Sequence, residues 1–348
     1  MAADFCPDRM KRSANDRSTI PAAMGALALA VIVAACSSAA SSAASAPSAT
    51  TVPSPTVPSA GQPGSPPAAV YSNVAYASTS SSQVLDIWMP EGATGPVPLV
   101  IFVHGGAFVA GDKSMEIEVG NVAAVLAAGY AAASLNYRLS VEARFPAAVQ
   151  DVKAAVRFLR ANASRYGLDP DRFAAWGESA GGYLVAMIGT TGDQATVLDD
   201  PSLGNAGVSS GVHAIVDFFG PTDFLQMDAQ FGSAPPAACN GQVRAYDSAD
   251  SPVSLFLGAG VQTVPDRAAA ANPITYIATA KTLPAFLIAH GDSDCEVPNQ
   301  QSQILHEALL AAGATATFNL VQGVGHDEAI LASQTPIALE MLKSVFGR

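Results

Sequence analysis

The chain has 348 residues, 49% of them hydrophobic and 13% charged. That is ample length for a large buried core, with about half the usual charged share of roughly 25%. Lys and Arg total 17 against 29 Asp and Glu, a net charge of −12 that argues against a nucleic-acid partner, which needs a basic face. Four cysteines without a Cys-x-x-Cys pair are too few for a disulfide scaffold and point to neither a zinc ribbon nor a redox motif.

Arg9, Lys11, Arg12 and Arg17 make a basic N-terminal region, and Ala22 to Ala35 is apolar or small and uncharged. This is a signal-peptide pattern over residues 1–35, too short for a comfortable membrane span. The run ends in Val33-Ala34-Ala35-Cys36, which resembles the bacterial lipoprotein lipobox. The resemblance implies export, lipid attachment at Cys36 and anchoring on the outer side of the cytoplasmic membrane or at the cell surface. Ordinary secretion, with cleavage at nearby small residues, is the alternative. Residues 36–70 are mostly Ser, Ala, Pro, Thr and Gly without a charge. Such a segment buries too little apolar surface to offset its ordering entropy and reads as a disordered tether. Residues 1–35 carry three Asp and four Lys or Arg, so their removal leaves −12 − 1 = −13. Residues 71–348 then form one large α/β domain.

In that domain short apolar runs alternate with helical patterns. Pro98–Val103, Tyr130–Leu135, Arg172–Trp176, His213–Phe219, Pro284–His290 and Ala316–Val321 read as strands buried on both faces. Ala147–Ala163 places Val149, Val152, Val156 and Leu159 on one helical face, with Asp151, Lys153, Arg157 and Arg160 largely away from it. Gln300–Ala312 and Ala329–Phe346 are also helical. The alternation predicts a mostly parallel central sheet with helices on both faces and a site beyond the carboxyl ends of the strands. Thr190–Gly211 reads as a long loop. Residues 221–273 show no clean period and are expected to form an irregular, cap-like excursion over the active-site face.

Four motifs carry chemistry. Gly177-Glu178-Ser179-Ala180-Gly181 follows a strand and opens a helix, the setting in which a serine nucleophile projects from a strained turn with a helix N-terminus behind it. His104-Gly105-Gly106-Ala107 follows an earlier strand, and its glycines let backbone N–H groups turn inward. His290-Gly291-Asp292-Ser293-Asp294 follows a late strand and offers two rival acids, Asp294, which stands where the α/β-hydrolase pattern that this run resembles has its acid, and Asp292, better suited to bracing the turn. Gly323-Val324-Gly325-His326 lies in the loop after the last strand. The order Ser179, Asp294, His326 is the one this fold uses.

Together these motifs resemble the α/β-hydrolase superfamily, and within it the hormone-sensitive-lipase-like and feruloyl-esterase-like carboxylesterases, over essentially all of residues 71–348. Asn136-Tyr137-Arg138-Leu139 and Phe219-Gly220-Pro221-Thr222-Asp223 add to the resemblance. It implies Ser179 as nucleophile, His326 as base, Asp294 as its orienting acid, and the amides of Gly106, Ala107 and Ala180 as the oxyanion hole. The family often has a third glycine where Ala107 stands. The implied activity is hydrolysis of small, short-acyl esters without a cofactor. A polysaccharide acetyl or feruloyl esterase, a lipase, an amidase and a non-catalytic surface-anchored binding protein are the alternatives.

The remaining histidines read as structural: His104 bracing the glycine loop, His290 supporting the acid turn, and His213 and His306 in the scaffold or in solvent. Glu178 reads as a structural hydrogen-bonder. No His, Asp and Glu cluster has metal-ligand spacing. Export permits a disulfide. Cys295 adjoins Asp294 and Cys239 lies in the excursion, so a Cys239–Cys295 bridge is expected to tie the excursion to the acid loop.

Overall fold

The computed structural model describes residues 68–192, 194–233 and 235–347. The signal-peptide pattern, Cys36 and the tether up to residue 67 lie outside them. Val70, which the sequence reading assigns to the tether, donates its N–H to Ile87 O at 2.8 Å.

The elements run β1 (Tyr71–Ala75), β2 (Val84–Trp88), β3 (Val97–Val103), α1 (Glu116–Ala127), β4 (Ala131–Leu135), α2 (Ala147–Ala161), α3 (Ala163–Tyr166), β5 (Leu168–Glu178), α4 (Ala180–Thr191) and β6 (Ala214–Phe218). Then come α5 (Met227–Ser233), α6 (Pro252–Leu257), α7 (Pro265–Ala270), α8 (Ile274–Ile277), β7 (Ala285–Gly291), α9 (Gln300–Ala311), β8 (Ala316–Val321) and α10 (Ala329–Phe346). The strands form one eight-stranded sheet in the order β1-β2-β4-β3-β5-β6-β7-β8. From β4 to β8 every neighbour is parallel, whereas β1 and β2 are antiparallel. This is an α/β-hydrolase fold.

All six strands read as apolar runs are present. Leu99 to Val103 in β3 is 0–1% exposed at every residue. A strand covered by helices on both faces must be apolar throughout, and each large side chain so buried contributes about 1.5–3 kcal/mol. The alternating residues feed two cores. Leu99, Ile101 and Val103 pack with Phe173, Ile215 and α2 on one face, and Val100 and Phe102 with Trp176, Val216 and α10 on the other. Strands β1 and β2 and helix α1 are additions to the sequence reading.

On α2 the residues set away from the apolar face are buried as well: Asp151, Lys153 and Arg157 are 0–4% exposed. Arg138 forks onto both oxygens of Asp151, and Gln83 Nε2 donates to it at 2.7 Å. Lys153 Nζ donates to Thr191 O and Asp199 Oδ2, both at 2.8 Å, and Arg157 Nη2 to Asp200 O at 3.0 Å. The loop after α4 folds over this side of the helix and supplies Lys153 and Arg157 with the partners that buried charges require, as Arg138 and Gln83 do for Asp151.

The excursion between β6 and β7 is partly helical, as expected. Phe224 and Phe256 from it pack with Phe108 and Tyr183, Phe108 and Phe256 being stacked at 4.2 Å. Cys239 is bonded to Cys295, with Cα atoms 5.5 Å apart and a sequence separation of 56. Arg244 N–H donates to Cys295 O at 3.1 Å and Tyr246 Oη to Glu296 O at 2.6 Å, so residues 239–246 are fastened along the acid turn. Closing a loop of this length removes unfolded-state entropy worth about 4 kcal/mol at most. The Cys239→Ser/Cys295→Ser double variant is therefore expected to melt several degrees below the parent; an unchanged melting temperature would show that the bridge adds no stability.

Candidate active site

The C-terminal edge of the parallel strands gathers the four motifs. β5 ends at Glu178, and the chain reverses at Ser179 into α4. Ser179 has φ 55° and ψ −121°, a conformation few non-glycine residues adopt. The turn is this tight because its flanking glycines touch backbone. A Cβ on Gly177 would lie 2.3 Å from Gly181 O, and one on Gly181 would lie 1.9 Å from Val103 O. Ser179 N–H donates to Phe218 O on β6 at 2.9 Å, which fixes the elbow to the neighbouring strand.

His326 Nε2 meets Ser179 Oγ at 2.9 Å, and His326 Nδ1 meets Asp294 Oδ2 at 2.7 Å. Facing a carboxylate, Nδ1 carries the proton and donates it; Nε2 is then the acceptor for the serine hydroxyl. Asp294 is fully buried. Its Oδ1 accepts the N–H groups of Glu296 at 2.8 Å and Val297 at 2.9 Å. Its Oδ2 accepts a second bond from His290 Nε2 at 3.1 Å, and the same nitrogen faces Val297 O at 3.0 Å. With two oxygens in front of it, His290 Nε2 must be the protonated nitrogen. His290 Nδ1 accordingly accepts from Ser302 Oγ at 2.7 Å. Burial by itself would raise the Asp294 carboxyl. The hydrogen bonds from His290 and His326 outweigh it and hold the group well below the usual carboxylate range.

His104 Nδ1 donates to Gly105 O at 2.7 Å and its ring stacks on Tyr137 at 4.4 Å; Tyr137 Oη donates to His104 O at 3.0 Å. The loop they brace runs through three consecutive positive φ values, Gly106 at 105°, Ala107 at 55° and Phe108 at 65°. Two of these are non-glycine residues, a strained path held by the burial of the Phe108 ring. Gly106 and Ala107 line the cleft beside Ser179, and Ala180 is the first residue of α4. Among the described hydrogen bonds none uses the N–H of Gly106, Ala107 or Ala180. Asp292 braces its turn, with Oδ1 accepting from Gly323 N–H at 2.7 Å. Glu178 accepts from Asn121 Nδ2 at 3.2 Å.

The cleft over Ser179 has a volume of about 680 Å³. It is lined by Gly105, Gly106, Ala107, Phe219 and the buried Glu178, and also by the exposed Arg244, Asp327 and Glu328 and the half-buried Glu296. Arg244 Nη2 pairs with Glu296 at 3.3 Å. Sequence reasoning did not find Arg244, Glu296 or Phe219; the one available signal for Arg244 was its position five residues after Cys239. Among the described residues no group of three or more His, Cys, Asp or Glu side chains is placed to hold a metal ion.

A serine hydroxyl bonded to a neutral, oriented imidazole on this sheet defines the α/β-hydrolase class. Residues 85–309 match the BD-FAE family, and the chain belongs to it. It is 30% identical over 247 residues to Esterase LipC of Mycobacterium tuberculosis, covering 70% of this chain and 57% of LipC. The chain thus spans little more than half the length of that curated relative. Among solved structures, a truncated carbohydrate esterase from gut microbiota is 34% identical with a TM-score of 0.66, covering 78% of this chain and 96% of that one. A bifunctional GH43-CE protein of Bacteroides eggerthii is 32% identical with a TM-score of 0.66, covering 78% of this chain and 38% of that one.

One carboxyl near the site has an unusual state. Asp217, the penultimate residue of β6, is 0% exposed and burial pushes it up to about 7, although Gly220 N–H bonded to it lowers it. The unfolded group titrates near 4. Between these values the folded chain binds one more proton at this site than the unfolded chain, so this group lowers stability as pH rises from about 4 to about 7. Asp217→Asn abolishes that titration. The melting temperature of the variant minus that of the parent is expected to increase from pH 5 to pH 8; a constant difference would contradict the raised value.

Proposed function

We propose that the chain is a serine carboxylesterase that hydrolyses small, short-acyl esters through an acyl-enzyme on Ser179. The observation that carries this reading is the hydrogen bond from Ser179 Oγ to an imidazole whose other nitrogen is held by a buried, ionised carboxylate. His326 Nε2 takes the Ser179 proton as Oγ forms a bond to the ester carbonyl carbon. The carbonyl electron pair moves onto oxygen, facing the N–H groups of Gly106, Ala107 and Ala180. The C–O bond to the alcohol then breaks, and His326 Nε2–H protonates the departing oxygen. Water attacks the acyl-enzyme with its proton passing to His326, and the acid leaves as Ser179 regains a proton. Asp294 remains ionised throughout and stabilises the imidazolium.

The cleft over Ser179 is open and carries the charged side chains Arg244, Glu296, Asp327 and Glu328. Such a surface suits a hydroxyl-rich alcohol better than a lipid. This favours a second reading, an ester on a saccharide, which the names of the two structural relatives at 34% and 32% identity also support. The amidase and binding-protein readings gain no such support.

The test uses p-nitrophenyl esters of two to sixteen acyl carbons, alongside acetylated oligosaccharides. Turnover is expected to be greatest at two to four carbons and to fall by about 10⁴ or more in Ser179→Ala, with a loss of about 10⁴ in Asp294→Asn. A folded protein inert on every ester, or undiminished in Ser179→Ala, would sink the esterase reading.

We further propose that the domain works outside the bacterial cytoplasmic membrane on a lipid at Cys36. The Val33-Ala34-Ala35-Cys36 pattern supports this, and so does the Cys239–Cys295 disulfide, because such bonds persist in oxidising compartments. In a bacterial host the full chain is expected in the membrane fraction and Cys36→Ala in a soluble or unprocessed form. Equal partitioning of the two would refute the anchor.

A further inference from the structure

The buried carboxyl of Asp217 takes no part in the proton transfers above, yet it sits between the residues that do. Its Oδ1 accepts the N–H of Gly220 at 3.0 Å, closing a turn of Asp217, Phe218, Phe219 and Gly220 at the end of β6. Its Oδ2 has no hydrogen-bond partner among the described residues.

The two residues inside this turn touch the backbone of Ser179 and the ring of His326. Phe218 O accepts the N–H of Ser179 at 2.9 Å. Phe219 has a left-handed backbone, φ 45°, and its ring lies 4.4 Å from that of His326. Phe219 N–H donates to Ala289 O on β7 at 2.8 Å, one residue before His290. A left-handed phenylalanine is unfavourable and persists only where its surroundings over-determine it. The turn has no slack on its inner side either. A Cβ on Gly182 would come within 2.3 Å of Asp217 Oδ1, and a Cβ on Gly220 within 2.6 Å of Tyr183 N. The turn is therefore wedged against the first turn of α4 and closed by a single side-chain bond.

We propose that Asp217 is a positioning residue, closing through its bond to Gly220 the turn that sets Ser179 and His326 at hydrogen-bonding distance. Asp217 does not line the cleft, so its loss acts on the chemical step and not on substrate binding. A displacement of about 1 Å between reacting groups costs on the order of 10²-fold in rate. The kinetic part of this inference rests on the esterase reading; the geometric part does not.

Two variants separate the bond from the bulk. Asp217→Ala removes the acceptor, and Asp217→Asn keeps it. In folded D217A, kcat for a short-chain p-nitrophenyl ester is expected to fall about ten- to a hundredfold with KM changed less than about threefold. D217N is expected to restore kcat to within about threefold of the parent. A substrate-free readout runs alongside: the NMR resonance of the hydrogen-bonded Nδ1 proton of His326, expected to shift or broaden in D217A and to hold its place in D217N.

Parent-like kcat in folded D217A, or an unmoved His326 resonance in that variant, overturns the proposal. If D217A does not fold, D217N decides, because a folded D217N that loses kcat tenfold or whose resonance moves overturns it equally. A parent inert on all esters, but with the resonance moved in D217A and not in D217N, would sink the esterase reading and uphold the positioning role.

Discussion

Around the site, the structure depends on keeping one desolvated carboxylate charged. Taking Asp294 out of water costs several kcal/mol unless donors replace the lost hydration. Four donors do so, two backbone N–H groups on one oxygen and two imidazole N–H groups on the other. The four donors come from three separately anchored pieces. His290 is the penultimate residue of β7 and is oriented by Ser302 on α9, Glu296 and Val297 follow Asp294 in sequence, and His326 arrives from the loop after β8. Fastening the 294–297 turn to residues 239–246 through a disulfide, Arg244 and Tyr246 extends the same constraint into the excursion. A shift in any of these pieces would leave a buried charge short of a partner.

Strain collects on the same edge of the sheet. Ser179, Ala107, Phe108 and Phe219 all hold positive φ there. Each is opposed by something rigid: the β5 and β6 ladder for Ser179, the Phe108–Phe256–Tyr183–Phe224 cluster for the glycine loop, and the wedge against α4 for Phe219. Such conformations survive where the surroundings over-determine them, and in doing so they aim groups that an unstrained backbone would point elsewhere. Away from this edge the sheet is ordinary, with apolar strands between two layers of helix.

How much of this was legible in the sequence followed burial. Strands covered on both faces must be continuously apolar, which is why Pro98–Val103 and Pro284–His290 could be read directly. β1 and β2 escaped because they are short and antiparallel, and because they carry polar residues such as Asn73 and Asp86, the latter paired with Lys113. The burial of the charged residues of α2 was not legible for a related reason. Periodicity reports which residues are polar, whereas Lys153 is covered by the loop after α4 and Asp151 by Gln83 and Arg138, all of them outside the helical pattern that was read.

The sequence by itself determined the identity, order and local shape of the candidate site. Gly177 and Gly181 around Ser179, and the glycines before Asp294 and His326, are steric requirements written within a few residues of the groups they serve. The tertiary structure alone decided what spans large separations: the 2.9 Å between Ser179 and His326, 147 residues apart, the place of Arg244 in the cleft lining, and the wedge of Asp217 against Gly182. These depend on parallel strands laid side by side in an order the chain does not follow. Distances across such a sheet come from the packing of all its layers, to which no local pattern of residues corresponds.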